Sequence, residues 1–264
     1  MIVQFMGGLG NQMFQYAFGR AVSIARNLPL FFNGSKAKNQ VNHIQYMMDV
    51  YDLDLQFDGT RREIYYEPGM PFDSNVYNVP ENKLFFGNWQ TEKYFLPIED
   101  TIRKELGRPK GDPGAQNLLV AQMIQSGESA FIHVRRGDYL NPTTKEYHGV
   151  QSLEYYLAGA AIIQASCPNI RFFVFSDDPG WCKANFPPEF IVVEGNMWQD
   201  RTAQWDLWLM SLCSHGVMAN SSFGWWAAWL AEGHSKGIFI APKRWFDQAK
   251  VDERDIIPDR WQQI

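Results

Sequence analysis

From Ser129 onward the chain alternates short apolar runs with longer segments of helical spacing, and this alternation constrains the fold more than any other feature. "SAFIHV", "IRFFVFS", "FIVVEG", "GVMAN" and "KGIFIAP" read as strands. "SLEYYLAGAAIIQAS", "PGWCKANF", "DRTAQWDLWLMSLCSH" and "SFGWWAAWLAEG" read as the helices between them. Strand–helix–strand repetition predicts an α/β fold: a predominantly parallel sheet with helices on both faces. The first half repeats the pattern less plainly. "MIVQFM", "LPLFF" and "LFFGNW" read as strands, and "QMFQYAFGRAVSIARN", "YFLPIEDTIRKELG" and "NLLVAQMIQSG" as helices. Between Asn33 and Gly87 polar residues and Pro68, Pro71 and Pro80 blur the pattern. "KGDPGAQ" (Lys110 to Gln116) gathers Gly and Pro into a surface connection, which divides the chain into 1–115 and 116–264.

Composition removes several function classes. With 264 residues and 45% hydrophobic content the chain can bury a core, yet no window approaches the roughly 18 apolar residues of a membrane span. No transmembrane segment is expected, and peripheral association with a membrane stays open. The start, "MIVQFMGGLGNQMF", lacks a basic n-region and a signal cleavage site. Cys167, Cys182 and Cys213 are odd in number and far apart, which predicts reduced thiols in a cytoplasmic protein. A net charge of −5 without a basic block disfavours nucleic acid as a partner. The 10 tryptophans point first to core packing and more weakly to stacking on sugars.

In parallel α/β sheets ligands sit beyond the carboxyl ends of the strands. Four polar clusters follow apolar strands: Gly7 to Gln12, His133 to Asp138, Ser176 to Asp178, and Asn220 to Ser222. An arginine at such a strand exit, here Arg135, offers a planar fork suited to a phosphate. The alternative is an Arg–Asp ion pair that pins the loop. Asn220, Ser221 and Ser222 precede a helix, where first-turn N–H groups can hold an anion, although plain N-capping would also favour these residues. Asp206 shares a helix stripe with Thr202, Ala203, Leu209 and Met210. A carboxylate there needs hydrogen-bond partners, and the N1–H and N2 amino group of a guanine would supply two. "GGLGNQ" departs from the dinucleotide fingerprint, because Met13 stands where the third glycine belongs and no acidic residue follows "LPLFF". Gly8, Asn11 and Gln12 instead present neutral groups to a cleft. Asp52 and Asp54 have metal-ligand spacing but no preceding strand, so the pair is read as chance and no metal is expected.

"GGLGNQMFQYAFGRA", "HVRRGDY", "FSDDPGWC" and "NSSFGWWAAWL", in this order, resemble the family 11 glycosyltransferases, the α-1,2-fucosyltransferases. The resemblance spans nearly the whole chain and is weakest from about Lys36 to Lys83. It implies a GT-B-like fold of two Rossmann-like halves with a cleft between them, the acceptor bound mainly by residues 1–115 and the donor by 116–264. It implies GDP-β-L-fucose as donor substrate, a terminal β-galactoside as acceptor, inversion at the anomeric carbon, and no cofactor or metal. Residue by residue, it puts Arg135 on the diphosphate, His133 along the nucleotide, Asp206 on guanine, and Ser221, Ser222 and Phe223 in the phosphate turn. Asp177 and Asp178 match an acidic pair. The glutamate proposed as base in α-1,6-fucosyltransferases falls on Thr143 here, so Asp138, Glu146 and His148 are the candidate bases, with an Arg136 ion pair as the alternative role of Asp138. A GDP-sugar transferase of another linkage, such as a protein O-fucosyltransferase, and a non-catalytic sugar-binding protein are the competing readings.

Overall fold

The structure is a computed structural model that describes residues 1–35, 47–196, 202–247 and 251–264. The chain forms two compact units, Met1–Lys110 with Asp252–Pro258, and Gly111–Val251 with Asp259–Ile264.

The first unit is built on a four-stranded sheet of β1 (Ile2–Gln4), β2 (Phe31–Asn33), β3 (Ile64–Tyr66) and β4 (Leu84–Phe86). The order is β2-β1-β4-β3 and every pairing is parallel. Helix Leu9–Arg26 buries Met13, Phe14, Ala17 and Phe18, a three- and four-residue spacing that presents one apolar face. It ends at Asn27, left-handed at φ 52°, a conformation asparagine tolerates better than most residues. The tail segment Asp252–Pro258 is tied in by Asp255, which accepts the Phe72 amide at 2.8 Å and Lys93 Nζ at 2.6 Å.

The second unit holds six strands: β5 (Ser129–Val134), β6 (Arg171–Ser176), β7 (Ile191–Val192), β8 (His215–Met218), β9 (Phe239–Ala241) and β10 (Gln262–Gln263). Their order is β10-β9-β8-β5-β6-β7, again wholly parallel. Every residue of β5 is buried, as expected of a strand covered on both faces. Ala130, Ile132 and Val134 join Tyr156, Ala160 and Ile163 of helix Leu153–Ser166 in one cluster. Phe131 and His133 lie on the opposite side, where Gly216 and Gly224 leave room for their rings. Helix Ser222–Ala231 is apolar throughout, and Trp225, Trp226 and Trp229 are fully buried. Tryptophan here is core material first.

Three elements were not anticipated from sequence: β3, β10 and helix Pro142–His148. The two strands are edges, at most three residues long and largely exposed, so they carry little periodic signal. Among the described residues no helix is long and apolar enough to cross a membrane.

Candidate active site

Parallel pairing aligns the carboxyl ends of β8, β5 and β6, which are neighbours in the second sheet. Three of the four polar clusters therefore meet on one edge. Arg135, just beyond β5, is clamped between two carboxylates: Nη2 reaches Asp138 Oδ1 at 2.6 Å and Nη1 reaches Asp177 Oδ2 at 2.9 Å. The two partners differ in setting. The Asp177 side chain is 9% exposed, whereas that of Asp138 is 54% exposed. Asp177 also accepts the Arg136 amide at 2.9 Å, and a Cβ on Gly137 would come within 2.6 Å of its Oδ2, so the turn needs glycine there. The expected partnership of Asp138 with Arg136 is not what forms. Arg136 Nε pairs with Asp178 at 3.2 Å, and its guanidinium lies 3.9 Å over the Trp181 ring. Asp178 also caps helix Pro179–Asn185 by accepting the Trp181 amide.

Asn220 is buried, and both its amide hydrogens are committed. Nδ2 donates to the carbonyls of His148 at 2.6 Å and Trp245 at 3.0 Å. Its side chain thus fastens loops together and is not a ligand donor as read from the sequence. Tyr139 completes the same lock: its hydroxyl donates to the Asn220 carbonyl at 3.0 Å and its ring stacks on His148 at 4.8 Å. Through it the turn after β5 and the turn after β8 hold each other. Desolvation lowers the pKa of His148, so its ring is neutral at neutral pH. Glu146 is exposed on helix Pro142–His148. The Thr143 side chain lies outside the described set.

His133 sits beneath helix Ser222–Ala231. Its ring centroid is 5.6 Å from that of Phe223, and a Cβ on Gly224 would fall 2.5 Å from its Nδ1. Burial, with a further push from Arg135, drives its pKa down to about 3, so His133 is neutral throughout the physiological range and its Nδ1 is buried without a partner. Ser221 is the N-cap residue of the helix, yet its side chain makes no capping bond, so plain capping does not account for it. Ser222 and Phe223 open the first turn.

Asp206 lies on helix Ala203–Ser211, and its stripe neighbours Ala203, Leu209 and Met210 are buried. Its Oδ1 accepts from Asn196 Nδ2 at 2.7 Å, and Asn196 is itself paired with Asn117. Burial pushes the Asp206 carboxyl up to about 7, against the opposing pull of Asn196.

In the first unit, Gly7 and Gly8 turn the chain out of β1. Gly7 is left-handed at φ 73°, and a Cβ on Gly8 would meet open space. Asn11 Oδ1 accepts from Gln90 at 2.8 Å. Gln12 is buried, donating to the Gly7 carbonyl and accepting the Met47 amide, so it braces the turn and does not face a ligand. Asp54 bonds only locally, to Gln56. Among the described residues no group of three or more His, Cys, Asp or Glu side chains is arranged to hold a metal.

Tyr139 and Trp181 escaped the sequence reading, although both stand inside or beside quoted motifs. An aromatic next to an arginine-rich turn was the available signal.

Comparison with known proteins agrees with this architecture. The chain matches glycosyl transferase family 11 over residues 1–264. It is 32% identical to an alpha-1,2-colitosyltransferase of Escherichia coli, covering 100% of this chain and 98% of that protein. It is 36% identical to galactoside alpha-(1,2)-fucosyltransferase 1 of Mus musculus, over 89% of this chain and 64% of the mouse protein. Among solved structures, NodZ alpha-1,6-fucosyltransferase soaked with GDP-fucose shares the fold at a TM-score of 0.52 and 12% identity, over 87% of this chain and 91% of that one. The α/β, GT-B-like class with parallel sheets expected from the sequence is borne out. The chain belongs to glycosyl transferase family 11 and is a glycosyltransferase.

Proposed function

We propose that this enzyme transfers L-fucose from GDP-β-L-fucose to the 2-hydroxyl of a terminal β-galactoside, forming an α-1,2 linkage with inversion and without a metal. The observation that carries the reading is the clamped Arg135 beside the first turn of helix Ser222–Ala231. As the bond to the anomeric carbon breaks, negative charge builds on the leaving diphosphate. Arg135 and the first-turn N–H groups would stabilise that charge, at about 1.5–3 kcal/mol for each charge-assisted bond. The uncapped Ser221, Ser222 and Phe223 would form the phosphate turn, and His133 would line the nucleotide as a neutral ring. Asp177 positions Arg135, and Asp206 would read guanine. Reduced thiols fit a cytoplasmic enzyme, and no nucleic acid partner is proposed.

Two guanidiniums face three carboxylates at this strand edge, so an incoming diphosphate must displace an acidic partner. The half-exposed Asp138 is the one that can swing away. This makes Asp138 a placeholder on Arg135 and not the base. Asp138→Asn should tighten GDP up to roughly fivefold, the value of an exposed ion pair, with transfer retained. Isothermal titration with GDP checks this. Abolished transfer with unchanged GDP affinity would return Asp138 to the base role, leaving Glu146 and His148 behind it.

A second reading concerns the donor sugar, because the full-length Escherichia coli relative is named for colitose, a fucose that lacks its 3-hydroxyl. The deciding experiment offers GDP-fucose and GDP-colitose to the enzyme with a panel of galactosides, in excess EDTA, and determines product linkage by NMR. The expected result is an α-1,2-fucosylated galactoside, with the rate unaffected by EDTA. Loss on chelation restored by manganese would overturn the metal-free mechanism and bring Asp52 and Asp54 back. Binding of galactosides without any turnover would favour a sugar-binding protein.

A further inference from the structure

A carboxylate that no sequence motif announced stands at the carboxyl end of the first sheet. Glu67 lies directly beyond β3, the strand next to β4. Its Oε2 accepts the Asn88 amide at 2.7 Å and its Oε1 accepts the Trp89 amide at 3.0 Å, both in the turn that follows β4. That turn is strained. Trp89 is left-handed at φ 57°, a conformation rare for a bulky side chain, and its ring is buried and stacked on Phe18 at 3.9 Å. Gly87 passes so close to Glu67 that a Cβ would collide with its side chain. One residue further on, Gln90 donates to Asn11 at 2.8 Å, tying in the glycine turn beyond β1. The ends of three adjacent strands thus share one polar rim, with open space at Gly8.

Backbone strain persists where the surroundings over-determine it, and it gathers at functional sites. A plain strut would not need a carboxylate, because neutral acceptors can take two amide hydrogens as well. A carboxylate has about four lone-pair sites. Two are used here, so an external hydroxyl can still donate to the half-exposed side chain.

We propose that Glu67 is the catalytic residue that takes the hydrogen of the attacking acceptor hydroxyl, first as a hydrogen bond and then as a proton. This rests on the transferase reading above. In the step, the acceptor oxygen bonds to the donor's anomeric carbon. The bond from that carbon to the phosphate oxygen breaks, with its electron pair leaving on the nucleoside diphosphate. The proton passes to Glu67 and afterwards to solvent. Burial pushes the Glu67 carboxyl up to about 7, with the two amides pulling it back, which suits a base working at neutral pH. Tyr65, Tyr94 and Asp73 are the titratable groups around it, and burial raises both phenols, so they stay neutral.

The test uses the full chain with GDP-fucose as donor and lactose as probe acceptor. Glu67→Gln should lower transfer by roughly 10²-fold or more, while GDP affinity and slow release of GDP in acceptor-free water change less than threefold. In the wild type, kcat/KM for lactose at saturating donor should fall below about pH 7, and this limb should vanish in the variant. Formate should partly restore Glu67→Ala. Transfer by folded Glu67→Gln within threefold of wild type would overturn the proposal. A wild-type profile flat from pH 5.5 to 8.5 would do so even if the variant does not fold. If the wild type neither binds GDP nor uses either sugar donor, the transferase reading fails first, and that outcome is distinct.

Discussion

Replacing Arg135 with alanine should lower turnover by roughly 10²-fold or more, equivalent to about 3 kcal/mol of lost charge stabilisation in the transition state. The loss has two sources. The guanidinium no longer meets the developing negative charge, and Asp177, which is nearly buried, loses its cationic partner. The second effect also predicts a lower Tm for the variant, because an uncompensated carboxylate near the core is costly. Arg135→Lys should recover only part of the rate. One ammonium cannot hold Asp177 and a phosphate with the fork geometry that the guanidinium provides. Single-turnover GDP release with circular dichroism as the folding control separates the two effects. A folded Arg135→Ala enzyme working at near wild-type rate would remove Arg135 from the diphosphate.

The sequence made the second unit legible because its strands are buried on both faces and its helices are long enough to show a period. β5 reads as "SAFIHV" and is a six-residue strand whose every residue is buried. It was also enough to bring His133, Arg135, Asp177 and Ser222 to one sheet edge, since each follows a strand directly. What sequence could not resolve was how these residues are shared. Asn220 has the composition of a ligand donor, yet it spends its amide on two loop carbonyls. Asp138 chooses Arg135 over its nearer chain neighbour Arg136 because Arg136 is drawn away by Asp178 and Trp181. Glu67 was invisible for a different reason. Its strand is three residues long at a sheet edge, and its importance comes from a turn about twenty residues later in the chain. Neither local propensity nor motif spacing encodes such a contact.

Asp206 should make nucleotide binding depend on pH in a direction opposite to its effect on stability. Its carboxyl titrates at about 7 in the folded chain, above the ordinary aspartate range, because burial penalises the charge. The folded state therefore holds a proton that the unfolded state has already released. Stability from this group is full below about pH 4 and is lost as pH rises through about 7. Guanine needs the opposite protonation state, since only the carboxylate can accept from N1–H and the N2 amino group together. GDP affinity should hold above pH 7 and fall toward tenfold per pH unit well below it, with proton release on binding near neutrality. Asp206→Asn should remove both dependences. It should raise the Tm at pH 8 and weaken GDP there by about 1–3 kcal/mol, roughly 5- to 150-fold, because an amide NH₂ would face guanine's own donors. Discrimination of GDP from ADP should shrink in parallel. Calorimetric titration at pH 6 and 8 in buffers of different ionisation enthalpy measures affinity and proton release together. If the variant binds GDP as tightly as wild type and still prefers it to ADP, Asp206 is a buried helix residue that costs stability without reading the base.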